Sequence, residues 1–182
     1  MTLVSLPMYD WPEVETQTNK LWQLLASLLR DNGIDCPTQL DRNTSSATLW
    51  KSGNCLLSQT CGWPYAKELH TDLELLTTPI YEISGCDGTT HRSQLVCRKN
   101  DSRDSLADFK GGTVVINEAG SQSGHQAMKS ALTAAALPSP FFKTGFISGA
   151  HRSSIAMVVN AEADIAAIDP SAGSWHSAMK RI

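Results

Sequence analysis

The chain has 182 residues, 41% of them apolar and 18% charged, with a formal net charge of −3. That length and balance suit one full domain or two small lobes with a buried core, and speak against a disordered or fibrous chain. Lys and Arg are scattered, which gives nucleic-acid binding no support, and no stretch approaches the roughly 18 apolar residues of a membrane span.

In chain order, LVSL (Leu3 to Leu6) reads as a short buried strand. Glu13 to Asp31 reads as an amphipathic helix through Leu21, Leu24, Leu25, Leu28 and Leu29, stopped by Asn32-Gly33. CLLSQ is a second strand ending in a polar turn, Pro64 to Leu69 a short helix, and LELLTTPIYEI one or two further strands. SQLVCR is β-prone, and SLADFKG is a one-turn helix closed by Gly111-Gly112. A regular alternation follows: strand TVVIN, helix Gly124 to Ala136, strand FFKTGF, helix Ser153 to Asn160, strand ADIAAID, helix Ser174 to Arg181. Strands separated by helices of this length form right-handed βαβ units, whose ligands bind beyond the carboxyl ends of the strands. The polar clusters YD, SQT, EAGSQSG, SGAHRSS and DPS fall there.

A net negative chain must hold any anion by local geometry. A helix N-terminus supplies it, with N–H groups that lack intrahelical partners and a partial positive charge. Ser121 and Ser123 add hydroxyls and Gly124 allows close approach, although either serine also suits a plain helix cap. His151, with Ser153-Ser154 behind it, repeats the arrangement one unit later, against the alternative of a surface or capping histidine. His91 and Arg92 offer cationic or donor groups, or belong to a solvated turn. Asp169 ends a strand where it could accept from a ligand, or cap the helix announced by Pro170.

Catalysis fits less well, since there is no G-x-S-x-G elbow, no P-loop and no H-E-x-x-H. Cys61 with His91 or His151 remains a nucleophile and base on paper, for a hydrolase or transferase. The five cysteines show neither a C-x-x-C pair nor zinc spacing, so no metal is expected. Cys61 and Cys86, each in a Gly-containing turn, are the best pair for one disulfide, against the alternative of buried thiols.

The segments SLPMYD, LLSQTCGWPY, GCDGTTHRSQLVCRK, LADFKGGTVVINEAGSQSG, SGAHRSSIAMV and AEADIAAID span nearly the whole chain. In this order they resemble the phosphonate/phosphite/phosphate family of ABC-transporter solute-binding proteins. The resemblance implies an α/β, two-lobed fold of the type II periplasmic-binding-protein kind. It has mostly parallel sheets flanked by helices and a ligand cleft between lobes at residues 1–90 and 91–182. It puts the family's Ser-Thr-Ser oxyanion segment on Ser121, Gln122 and Ser123, with Gln in place of Thr, and its ligand-touching His on His151. The acidic residue that meets a ligand amine falls on Asp169, and an aromatic residue falls near Thr90-His91, so that His91 takes its place. Tyr9, Gln59 and Thr60 end first-lobe strands that face the cleft.

The implied function is capture of a small oxyanion for an ABC-transporter permease in the membrane, without a cofactor and without catalysis. The implied location is the periplasm, although MTLVSLPMYD lacks the features of a signal peptide, which keeps a cytoplasmic sensor on the same fold as the alternative. Family members usually continue beyond the segment that ends here at Ile182 with a return crossover, so the C-terminal part of the family fold is expected to be missing.

Overall fold

A computed structural model describes residues 2–172 and 177–182. It divides into two compact units, Met1–Leu76 and Thr77–Ile182.

In the first unit, strand β1 (Leu3–Ser5) pairs in parallel with β2 (Cys55–Ser58). Parallel pairing needs a long crossover, and helices α1 (Glu15–Asp31) and α2 (Ser46–Lys51) supply it. The sequence pattern missed α2, whose start is fixed by Ser45 accepting the Thr48 N–H at 3.2 Å. Helix α3 (Gly62–Lys67) follows β2. Val4, Leu6, Trp22, Ala26, Cys36 and Leu40 form the core of this unit, with Leu25 and Leu29 packed on it. The buried face of α1 is therefore Trp22, Leu25, Ala26 and Leu29, while Leu21, Leu24 and Leu28, expected on that face, are exposed. A helix leucine-rich on both sides gives the sequence pattern two candidate stripes, and tryptophan volume decided which one packs.

The expected strands in LELLTTPIYEI do not form; residues 73–83 carry no β-ladder. After them comes a hairpin of β3 (Cys86–Asp87) and β4 (Thr90–His91), turned by Gly88 at φ 55°. The hairpin belongs to the second unit, which is why the division lies at 76/77 rather than at the expected 90/91. A five-stranded sheet follows in the order β7-β6-β8-β5-β9. Its strands are β5 (Gln94–Arg98), β6 (Thr113–Ile116), β7 (Thr144–Ile147), β8 (Ile165–Ile168) and β9 (Met179–Arg181). Helices α4 (Ala127–Ala134) and α5 (His151–Val159) connect β6 to β7 and β7 to β8.

The expected parallel sheet holds for β6, β7 and β8, where β6 pairs in parallel with both neighbours. β5 instead runs antiparallel to β8 and to β9. No βα unit leads into β5, since the chain enters it from the hairpin. The helix expected over Ser174 to Arg181 is corrected at its described end, where Met179–Arg181 pairs with β5. Residues 174–176 lie outside the described part. A strand of three residues is held by its ladder and leaves no period to read.

Arg98, Asp101, Arg103 and Asp164 tie the end of β5 to the starts of β6 and β8. Asp164 accepts from Arg103 Nη2 at 2.7 Å, Arg98 Nη2 at 3.2 Å and the Thr113 N–H at 2.8 Å. Cys97, Phe109, Met128, Phe141, Ile165 and Ala167 form the core beneath. Among the described residues no helix is long and apolar enough to cross a membrane.

Candidate functional site

The carboxyl ends of β6, β7 and β8 carry the polar residues that the sequence placed there. After β6 the chain does not enter an α-helix at Gly124 as expected. It makes one π turn, Gln122–Gln126, before α4. Ser121 is the cap, its hydroxyl accepting the Gly124 N–H at 3.0 Å. A Cβ at position 124 would land on Asn117 Oδ1, well inside contact distance, so any larger residue needs the Asn117 side chain to move away.

α5 begins at His151, two residues before the expected start, which moves His151 from loop to first helical turn. There its Nε2 lies 2.8 Å from the Ser123 hydroxyl. Ser123 is only 7% exposed, and His151 Nδ1 is buried with no hydrogen-bond partner among the described residues. Burial, with a smaller contribution from nearby His91, lowers the His151 pKa against the pull of Asp169, which keeps the ring neutral at pH 7. The neutral ring and the hydroxyl hold one N–H and one O–H, and the bond between them uses one of these. In either tautomer one donor is left over. Ser154, one turn into α5 and fully buried, bonds the Ser148 hydroxyl at 2.7 Å and serves packing instead.

Asp169 caps the turn that follows β8, the alternative to a ligand contact, and its second oxygen meets His91. Its Oδ1 caps the one-turn helix Pro170–Ala172, accepting the Ser171 N–H at 2.8 Å and the Ser171 hydroxyl at 2.7 Å. Its Oδ2 lies 3.1 Å from His91 Nε2, an ion pair off the line of a good hydrogen bond. Burial would raise the carboxyl's pKa, but His91 and Ser171 outweigh it and hold the group well below the usual carboxylate range. His91 is raised in turn, first by Asp169 and against partial burial. Gly85, at φ 102°, makes this meeting possible, because a Cβ there would sit 3.1 Å from Pro170 Cγ.

Arg92 is exposed, and among the described residues no side-chain contact ties it to this cluster. Tyr81 went unnoticed in the sequence; its phenol pKa is raised by burial and then by Asp169 and Cys86, which puts it in electrostatic reach of both. Its signal was masked by the strand expected there. Cys61 and Cys86 are unbridged thiols, the alternative to the disulfide, and Cys86 Sγ instead lies 3.4 Å from His91 Nδ1. The two cysteines belong to different units. Among the described residues no cluster of three or more His, Cys, Asp or Glu could hold a metal ion.

In the first unit, Tyr9 follows β1 with φ 70°, a left-handed conformation that costs an aromatic residue about 1–3 kcal/mol. Gln59 follows β2 with Oε1 buried and unpartnered among the described residues, and the Thr60 hydroxyl donates to the Cys61 carbonyl at 3.3 Å. Both segments leave the carboxyl end of the same parallel pair.

Two solved structures of one protein share the fold. The protein XAC2383 from Xanthomonas citri, bound to ATP, aligns at a TM-score of 0.60 with 16% identity over 92% of this chain and 63% of its own. The same protein bound to chloride ion aligns at 0.59 with 15% identity over 100% of this chain and 72% of its own. PhnD1 from Prochlorococcus marinus (MIT 9301), in complex with methylphosphonate, matches at a TM-score of 0.42 and 21% identity over 50% of this chain and 39% of its own. The chain also spans 27% of a putative periplasmic sulfonate-binding protein, SsuA, from Methylobacillus flagellatus KT, at 21% identity over 50% of this chain and a TM-score of 0.40. Among curated proteins, none matches. The family model for the phosphonate periplasmic substrate-binding protein of ABC transporters matches residues 12–180. It describes binding proteins, not enzymes. The chain thus belongs to the phosphonate-binding family of periplasmic substrate-binding proteins of ABC transporters.

Proposed function

We propose that the protein captures a small oxyanion of the phosphonate, phosphite or phosphate type and presents it to a membrane permease in the periplasm. The observation that carries this reading is the Ser123–His151 pair, 2.8 Å apart at the start of two helices and holding one donor more than its own bond uses. Helix N-termini add unpaired N–H groups and partial positive charge. Ser121, Gln122, Ser123, Gly124 and His151 form the oxyanion end. Asp169, already answered by His91, faces whatever group the ligand carries besides its anion, and Arg92 contributes long-range attraction. Tyr9, Gln59 and Thr60 are proposed as the first unit's ligand contacts, on the strength of the Tyr9 backbone and the unpartnered Gln59 oxygen.

A thermal-shift series over methylphosphonate, phosphite, phosphate and methanesulfonate tests the reading. A specific ligand at 100 times its dissociation constant stabilises by about 2.7 kcal/mol. Stabilisation by one of these anions that disappears in Ser123→Ala supports the proposal. Equal, weak response to all of them in both proteins sinks it.

A further inference from the structure

The hairpin β3-β4 does more than deliver His91. Its register sets Cys86 directly opposite His91. In an antiparallel pair, directly opposed side chains lie on the same face about 4.5–5.5 Å apart at Cβ. The thiol accordingly meets Nδ1 of the ring at 3.4 Å, while Nε2 of the same ring meets the Asp169 carboxylate at 3.1 Å. Above its raised pKa the ring is neutral, and the carboxylate beside Nε2 then favours the proton on that nitrogen, leaving Nδ1 as a lone pair facing the thiol. This is the arrangement of a thiol with an adjacent base whose tautomer is fixed by a third group.

We propose that Cys86 is a modification site: a thiol activated by His91, with Asp169 as the positioning residue, that undergoes exchange with small disulfides. Cys86 gives its proton to His91 Nδ1, and the thiolate attacks one sulfur of the disulfide. A new S–S bond forms at Cys86 and the reagent's own S–S bond breaks. The departing thiolate takes up the proton from His91. The Cys86 sulfur is oxidised and the departing sulfur reduced, so the small disulfide itself balances the step. Burial and nearby Asp169 raise the Cys86 pKa, so the thiol depends on His91 to accept its proton. Access is available, since Cys86 is half-buried and the His91 side chain is 24% exposed.

The adduct would stand against His91 and Asp169. Resting on the function proposed above, Cys86 is then a redox-sensitive off-switch for anion capture.

The experiment treats the folded protein with 2,2′-dithiodipyridine, a neutral disulfide that does not compete for an anion site, and follows each cysteine by peptide mass spectrometry. Cys55, half-buried like Cys86, is the internal reference, and Cys36 and Cys97 are buried. Cys86 should react at least roughly tenfold faster than Cys55. His91→Ala should bring that ratio close to one, and added imidazole should restore part of it. Asp169→Asn should lower the ratio while Cys36 and Cys97 stay protected, which shows that the variant is folded. A ratio near one in the unmutated protein, or a ratio unchanged by His91→Ala, overturns the relay. For the switch, the Cys86 adduct should lose the methylphosphonate response that the untreated protein shows, and Cys86→Ser should keep it in the presence of the reagent. An adduct that still responds overturns the switch. Failure of the functional reading itself would show differently, as no anion response before treatment, with the labelling order still deciding the thiol.

Discussion

Ser123 and Ser121 sit two positions apart and have different jobs. Ser121 is the cap, and Ser123 bonds His151. Ser123→Ala should therefore cost about 1.5–3 kcal/mol of anion affinity, the worth of one hydrogen bond to a charged group, with little change in melting. Calorimetry and melting on the same sample decide; parallel losses would make Ser123 a second cap. The two histidines titrate in opposite senses from the ordinary value near 6.5. His91 is raised in the fold, so its contribution is complete below pH 6.5 and lost as pH climbs through its folded value. His151 is lowered, so its contribution is complete above pH 6.5 and lost as pH falls towards its folded value. Melting temperature against pH should show both limbs. His91→Gln should flatten the alkaline one and His151→Gln the acidic one, and a limb that survives its own variant refutes its assignment.

Two glycines sit where a side chain would press on a neighbouring element. At position 124 the π turn approaches Asn117 so closely that a methyl group finds the side-chain oxygen in its place. Gly124→Ala should lose about 1–3 kcal/mol in urea unfolding, the usual cost of overpacking. Asn117→Ala combined with it should recover a good part, and strictly additive losses would refute the contact. At position 85 the hairpin lies on Pro170, with φ 102° and Pro170 Cγ 3.1 Å from the site of a Cβ. Gly85→Ala should lift the hairpin from the Asp169 turn, and the His91 pKa, followed by NMR titration, should fall back towards 6.5. A pKa that stays where it was would mean that the ion pair does not depend on this packing.

On the scale of the whole second unit, the Arg98, Asp101, Arg103 and Asp164 cluster joins β5, β6 and β8 at their ends. The Arg103 guanidinium is the largest cause holding Asp101 down at about 2, with Arg98 adding to it against burial. A depressed carboxylate stabilises the fold above its ordinary value of 3.8, and that contribution is lost as pH falls towards 2. Arg103→Met should therefore be less stable than the unmutated protein at pH 6, by roughly 1–3 kcal/mol. The gap should narrow towards pH 2, measured by urea midpoints. A gap independent of pH would mean that Arg103 contributes by its packing over Phe109, where its guanidinium lies 4.1 Å from the ring centroid, and not by charge.

The chain by itself determined the βαβ run of the second unit, since its strand and helix periods alternate cleanly from Thr113 to Asp169. It also determined that Ser121, Ser123, His151 and Asp169 stand at strand ends, because turn chemistry is local. Family membership, matched over residues 12–180, was legible in the same motifs. Tertiary structure decided what local pattern does not encode. It chose which leucine stripe of α1 packs and turned β5 antiparallel, and it made strand β9 where a helix was expected. It also selected the partners: His151 with Ser123, and His91 between Cys86 and Asp169. The ion pair between His91 and Asp169 joins residues far apart in sequence, and only a hairpin folded onto the end of β8 could bring them together.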